Sequence, residues 1–262
     1  MINKPKIIEK WQKRNKYGRP GTPLTAKKIA IHYTGSPDVP GDRTLSYFNN
    51  VVANGHKVNG KFVYASAHYI IDLDGTIYQL IPTTEICYAT NSANSYAIAV
   101  EVATTGADNH YTDATYKSMV WLCAWLCQYK KLDCQKDIIT HTDVVGKNYK
   151  LCPIYMVKNP DKMQQFKQDC QNLKEGKIRV SDITNCTAEG SSKIPKMIKV
   201  IQNVNYRTEP NFKKTSIAGE ATPGQIFTVV DLIQKSTTNM YKLKSGFYIT
   251  ASPKYVEEFI PK

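Results

Sequence analysis

The chain has 262 residues, 42% hydrophobic and 22% charged, enough to bury one large core or a medium one and a small one, and excluding a collagen-like or coiled-coil chain. Its 35 Lys and Arg against 22 Asp and Glu give a net charge of +13 without a single basic run; an anionic polymer or DNA met nonspecifically fits that charge, but no motif for specific nucleic-acid reading accompanies it. No apolar run approaches the ~20 residues that cross a bilayer, and the opening MINKPKIIEKWQKRNKYGRP lacks the apolar segment of an export signal, so neither membrane insertion nor conventional export is expected.

In chain order, IAIHY at 29–33 is a short apolar strand, and residues 43–54 read as a helix that ends at Gly55. A hairpin is predicted from 67–72, the turn signal Asp74-Gly75, and 76–81. AIAVEV at 97–102 is a mostly buried strand. Residues 114–131 have helical periodicity, with Met119, Leu122, Cys123 and Leu126 on one face. Residues 137–140 form a short strand leading into His141, and a last helix starts at Asn159-Pro160 and runs to Leu173, with proline in its first turn. The mixture predicts an α/β or α+β domain over 1–173. The texture then turns polar and small, with Gly176, Gly190, Ser191 and Ser192, which predicts a linker over 174–196. Over 197–262, β-branched and aromatic segments at 197–201, 225–230, 240–243 and 246–250 predict a small β-barrel.

Seven cysteines without regular spacing suggest folding in a reducing compartment rather than a disulfide scaffold. Cys123 and Cys127 read either as buried thiols or as a metal pair, and their helical face favours the former. Of five histidines, His32 ends the first strand and His141 follows another, with Cys152 eleven positions later. Two imidazoles and a thiolate make a sound three-ligand set for zinc with a fourth position left for water, although such spacing also arises by chance. Glu101 sits in an apolar strand, where a carboxylate needs either an ion-pair partner or a chemical task; both readings stand. Lys150 is either a cation beside the supposed metal or one more surface lysine.

The ordered segments Arg19-Pro-Gly-Thr-Pro-Leu-Thr25, Ile29-Ala-Ile-His-Tyr-Thr34, Ser66-Ala-His-Tyr-Ile-Ile-Asp-Leu-Asp-Gly75, Ile98-Ala-Val-Glu101, His141-Thr-Asp-Val-Val-Gly146 and Lys150-Leu-Cys-Pro153 resemble the zinc-dependent N-acetylmuramoyl-L-alanine amidases of the phage-endolysin and peptidoglycan-recognition-protein type, over roughly residues 7–173. Val204-Asn-Tyr-Arg-Thr-Glu-Pro210 and the stretch from Gly246 to Val256 are similar to bacterial SH3-like wall-binding domains. The resemblance implies an α/β fold with a central mixed sheet flanked by helices, followed by a small all-β SH3-like barrel. It also implies Zn2+ held by His32, His141 and Cys152, Glu101 as general base and Lys150 as oxyanion stabiliser. His68 is expected either to line the substrate groove or to be a satisfied core histidine. The implied partner is bacterial peptidoglycan, cut between the lactyl group of N-acetylmuramic acid and L-alanine. The implied setting is a phage enzyme made in the host cytoplasm and acting on a Gram-positive wall after release.

Some relatives carry a tyrosine before the second-motif histidine and no later glutamate; Ala67 and Glu101 place this chain with the glutamate branch. The usual Gly-Lys-x-Cys-Pro is expanded to Gly146-Lys-Asn-Tyr-Lys-Leu-Cys-Pro153, which makes Lys147 an alternative to Lys150, and the common Trp-His pair is replaced by Tyr88-Ala89. Two other functions remain to be compared: a noncatalytic peptidoglycan-recognition protein, a class that typically lacks the cysteine ligand, and a cysteine hydrolase with a Cys152–His141 dyad.

Overall fold

The computed structural model describes residues 2–184, 197–233 and 238–259, and the chain divides into two compact units, Met1–Thr187 and Ala188–Lys262. In the first unit the strands are β1 (Ile7–Glu9), β2 (Lys28–Tyr33), β3 (Lys57–Val58), β4 (Lys61–Phe62), β5 (Tyr69–Ile71), β6 (Ile77–Gln79), β7 (Ala97–Val102) and β8 (Ile138–Thr140). The helices are α1 (Gly41–Ser46), α2 (Asp113–Lys130), α3 (His141–Val145), α4 (Ile154–Lys158) and α5 (Pro160–Lys174).

Six strands form one sheet in the order β1-β6-β5-β7-β2-β8, parallel throughout except for the β5–β6 hairpin. The strands β2 and β7 sit inside it because their near-continuous apolar runs suit burial on both faces. One face packs against α2 and α5 through Met119, Leu122, Cys123, Leu126, Phe166 and Cys170, all fully buried. The opposite face is covered by Phe48 and Val52 over Ile70, Leu80 and Ala99. The mixed α/β architecture expected from the sequence is therefore present. At the hairpin turn Gly75 has φ +82°, and a Cβ there would lie 2.7 Å from the Ala114 carbonyl oxygen; glycine is required both by the backbone and by the close approach of α2.

Two expectations change. The helix predicted over 43–54 is α1 followed by a π-helical turn, Tyr47–Val51, and a 3-10 turn, Val52–Asn54, ending at left-handed Gly55; the run Asn49-Asn50-Val51-Val52 has weak α preference. The linker predicted from 174 begins later in the described chain, because Ile183 is buried in the first core and Ile178 and Val180 pack against it. Its remainder, with Gly190, Ser191 and Ser192, lies outside the described residues.

The second unit contains β9 (Met197–Val200), β10 (Val204–Arg207), β11 (Ile217–Ala221), β12 (Ile226–Ile233), β13 (Met240–Leu243), β14 (Tyr248–Thr250) and β15 (Val256–Glu258). They form an antiparallel sheet ordered β11-β10-β14-β13-β12-β9-β15 around Ile198, Val200, Val229, Leu243, Ile249 and Val256. The four predicted segments are strands, joined by β10, β11 and β15, which were not expected.

Candidate active site

Strand register assembles the site. In the parallel pair β2–β7, His32 lies opposite Glu101, so the two polar side chains of otherwise apolar central strands meet at the C-terminal end of the sheet. The adjacent pair β2–β8 aligns Ile31 with Thr140, which brings the next residue, His141, alongside His32; their ring centroids are 4.8 Å apart. Thr140 caps α3: its hydroxyl accepts from Asp143 N–H at 3.0 Å and its own N–H donates to the Asp143 carboxylate at 2.8 Å. This reciprocal capping box sets His141 at the first helical position. Thr142 then ties the following loop to the helix, since its hydroxyl accepts from Cys152 N–H at 2.7 Å and donates to the Lys150 carbonyl at 2.8 Å.

The ligating atoms of His32, His141 and Cys152 lie within 4.8 Å of one another, and all three residues are buried; no other such cluster occurs among the described residues. Cys152 Sγ is 3.7 Å from His32 Nδ1. The His141 Nε2–H donates to Asn91 Oδ1 at 2.7 Å, leaving buried Nδ1 without a hydrogen-bond partner. His32 Nε2 is 2.9 Å from Thr90 Oγ1, so the corresponding tautomer turns its Nδ1 lone pair toward Cys152. Outer partners that fix tautomer and ring orientation are what metal-ligating histidines require. Electrostatics agree with the geometry. Burial, with the charges of His141 and Lys150, holds the His32 pKa well below its ordinary value, and burial plus Lys150 lowers that of His141 to about 4. Burial, reinforced by Glu101, pushes the Cys152 thiol up to about 12. Two neutral imidazoles, a thiol that needs a cation to ionise and an unpartnered buried nitrogen fit a soft-to-borderline divalent metal such as zinc.

Glu101 Oε1 is 3.9 Å from His32 Nδ1, and its buried Oε2 has no hydrogen-bond partner. Burial raises its pKa to about 8 against the opposing pull of Lys150. A cavity of about 630 Å³ opens over the cluster, lined by His32, Glu101, His141 and Lys150 and walled farther out by Arg43 and Tyr64. Lys150 faces it and Lys147 does not line it; the charge of Lys150 reaches His32, Glu101, His141 and Cys152. Tyr88 and Ala89, at the place of the substituted pair, also line this cavity.

His68 is corrected as a substrate-binding residue. It is fully buried and outside the cavity lining, with Nε2–H donating to the Glu85 carbonyl at 2.8 Å and Nδ1 accepting from Ala99 N–H at 3.0 Å. Both nitrogens are used, so it is a satisfied core histidine. Cys123 and Cys127 are likewise buried free thiols in the α2 core. Thr90 and Asn91, which orient the two histidines, were not singled out from the sequence; nothing in local periodicity marks a residue that acts through a partner 50 or more positions away.

The first unit is thus a mixed α/β sheet carrying, at its strand ends, a buried His-His-Cys cluster that could hold a metal and a neighbouring glutamate. Residues 22–154 match the N-acetylmuramoyl-L-alanine amidase family, and the chain belongs to that family. Residues 191–256 match a domain family of unknown function, DUF5776. The chain is 28% identical over 207 residues to the N-acetylmuramoyl-L-alanine amidase CwlL of Bacillus licheniformis, covering 74% of this chain and 54% of that protein. A probable N-acetylmuramoyl-L-alanine amidase of the same organism is 28% identical over 200 residues, covering 71% and 53%. The chain thus spans about half the length of these curated relatives. The fold is similar to the catalytic domain of XlyA, with TM-score 0.51, 22% identity and coverage of 63% of this chain and 99% of that one. It is similar also to PlyL, with TM-score 0.52, 21% identity and coverage of 63% and 97%. No helix among the described residues is long and apolar enough to cross a membrane.

Proposed function

We propose that this chain is a zinc-dependent peptidoglycan hydrolase, cleaving the amide bond between the lactyl group of N-acetylmuramic acid and L-alanine. The observation that carries this is the buried cluster of His32, His141 and Cys152 beside the partnerless carboxylate oxygen of Glu101, under a cavity open to substrate. His32 Nδ1, His141 Nδ1 and Cys152 Sγ are the atoms that would hold zinc. Zinc supplies Lewis acidity toward a carbonyl oxygen and toward water. The Glu101 carboxylate takes a proton from the attacking water and returns it to the departing L-alanine nitrogen as the amide C–N bond breaks. The Lys150 ammonium faces the oxygen on which negative charge develops. A raised carboxyl pKa suits a group that must both accept and donate near neutrality.

A cysteine-hydrolase reading is disfavoured by the Cys152 thiol, which burial leaves protonated. The intact ligand set disfavours a noncatalytic recognition protein. The second unit, by its sequence resemblance and its seven short antiparallel strands, is read as an SH3-like module that holds the enzyme on a Gram-positive wall. The whole is read as a phage endolysin made in the host cytoplasm and acting on the wall after release. Metal analysis combined with mass spectrometry of digested walls tests the activity. One zinc per chain and newly exposed L-alanine amino termini are expected, and cleavage confined to glycan linkages or to bonds within the peptides would refute it.

A further inference from the structure

The second unit contains a cavity of its own, of about 490 Å³, within the size range of small-ligand pockets. Alternation along β10 produces one of its walls. Val204 and Tyr206 pack against the apolar core, so Asn205 and Arg207 point to the opposite face of the strand. In the antiparallel pair β10–β11, Asn205 lies directly opposite Glu220, which places that carboxylate beside the same cavity. Arg207, two residues along β10 from Asn205, is therefore diagonal to Glu220, with the two backbone positions on the order of 7–8 Å apart.

The arginine is held in position. Its guanidinium lies 5.5 Å from the Phe212 ring centroid, and Nη1 donates to the Lys213 carbonyl at 2.8 Å and approaches Ser216 Oγ at 3.4 Å. Nε and Nη2 have no partner among the described residues. Glu220 likewise has neither a hydrogen bond nor an ion pair among them. A folded unit thus presents an oriented guanidinium and a free carboxylate to one cavity without pairing them with each other. A purely anionic polymer would be repelled by Glu220, and a neutral sugar would leave both charges unmatched.

We propose that this cavity binds a short zwitterionic peptide, with Arg207 Nε and Nη2 engaging a carboxylate as a two-pronged fork and Glu220 engaging an ammonium two to three residues away. At ~3.3–3.6 Å per extended residue, that length is of the order of the diagonal spacing between the two strand positions. The proposal does not depend on the amidase activity, because all of its residues lie in the second unit.

The test uses the full chain labelled with 15N and titrated with trialanine, N-acetyl-trialanine and trialanine amide. Trialanine should move the amide resonances of Asn205, Arg207, Glu220 and Tyr255, and blocking either end should weaken binding at least tenfold. Arg207→Gln and Glu220→Gln should each do the same, with resonance dispersion otherwise retained. If Arg207→Gln fails to fold, Glu220→Gln, at an exposed position, carries the test. Equal binding of blocked and free peptides would overturn the proposal. So would shifts confined to the first unit, or tighter binding of pyrophosphate by Glu220→Gln than of trialanine by the unaltered chain.

Discussion

Acidification should charge the imidazole of His68 only at the expense of the fold. Burial lowers its pKa from 6.5 to about 4, helped by Lys130 and opposed by the hydrogen bond to Glu85. The unfolded chain takes up this proton first, so the stabilisation is complete above about pH 6.5 and is lost as pH falls through about 4. At about 1.4 kcal/mol per pKa unit, the separation corresponds to roughly 3 kcal/mol. The perturbation is His68→Gln, which does not titrate and leaves Ala99 N–H without its acceptor, a cost that is the same at every pH. Urea unfolding in chelator, followed by tryptophan fluorescence, reports on the first unit alone because Trp11, Trp121 and Trp125 all lie there. The stability gap between the two chains should narrow by roughly 3 kcal/mol between pH 7 and pH 4. His32 and His141 titrate in both chains and cancel. A gap that does not change with pH, or a His68 resonance titrating near 6.5, would refute the assignment of this residue to the core.

Glu101→Gln keeps shape and the three ligands, so zinc content should be unchanged while turnover of wall fragments falls roughly 10²–10⁴-fold; near-normal turnover would remove Glu101 as the base. Lys150→Ala should lower kcat by roughly 10²–10³, whereas Lys147→Ala, outside the cavity, should remain close to the unaltered enzyme; the reverse order in a steady-state assay would reassign the oxyanion partner. Cys152→Ser should lose stoichiometric zinc on dialysis, and full occupancy by metal analysis would take Cys152 out of the ligand set.

Much of the first unit was legible because its signals are local. The apolar runs around His32 and Glu101 could only be interior strands, and the periodicity of Met119, Leu122, Cys123 and Leu126 could only bury one face of a helix. The ordered motifs pointed to His32, His141 and Cys152 without specifying how they meet. Their meeting depends on long-range register: His32 opposite Glu101 in β2–β7, and Thr140 beside Ile31 in β2–β8. Strand β1 is three residues long and only partly buried, and its partner is Ile77–Gln79 some 70 positions away, so no local pattern announces it. The apolar residues Ile178, Val180 and Ile183 hide in a polar stretch and show their role only against the α2–α5 core. His68 stands in a motif beside a hairpin, and its sequence neighbours allow either a groove or an interior. That choice was made by the Glu85 carbonyl and the Ala99 amide, because periodicity determines which side of a strand is apolar, while only the packed neighbours determine whether a polar side chain there is satisfied.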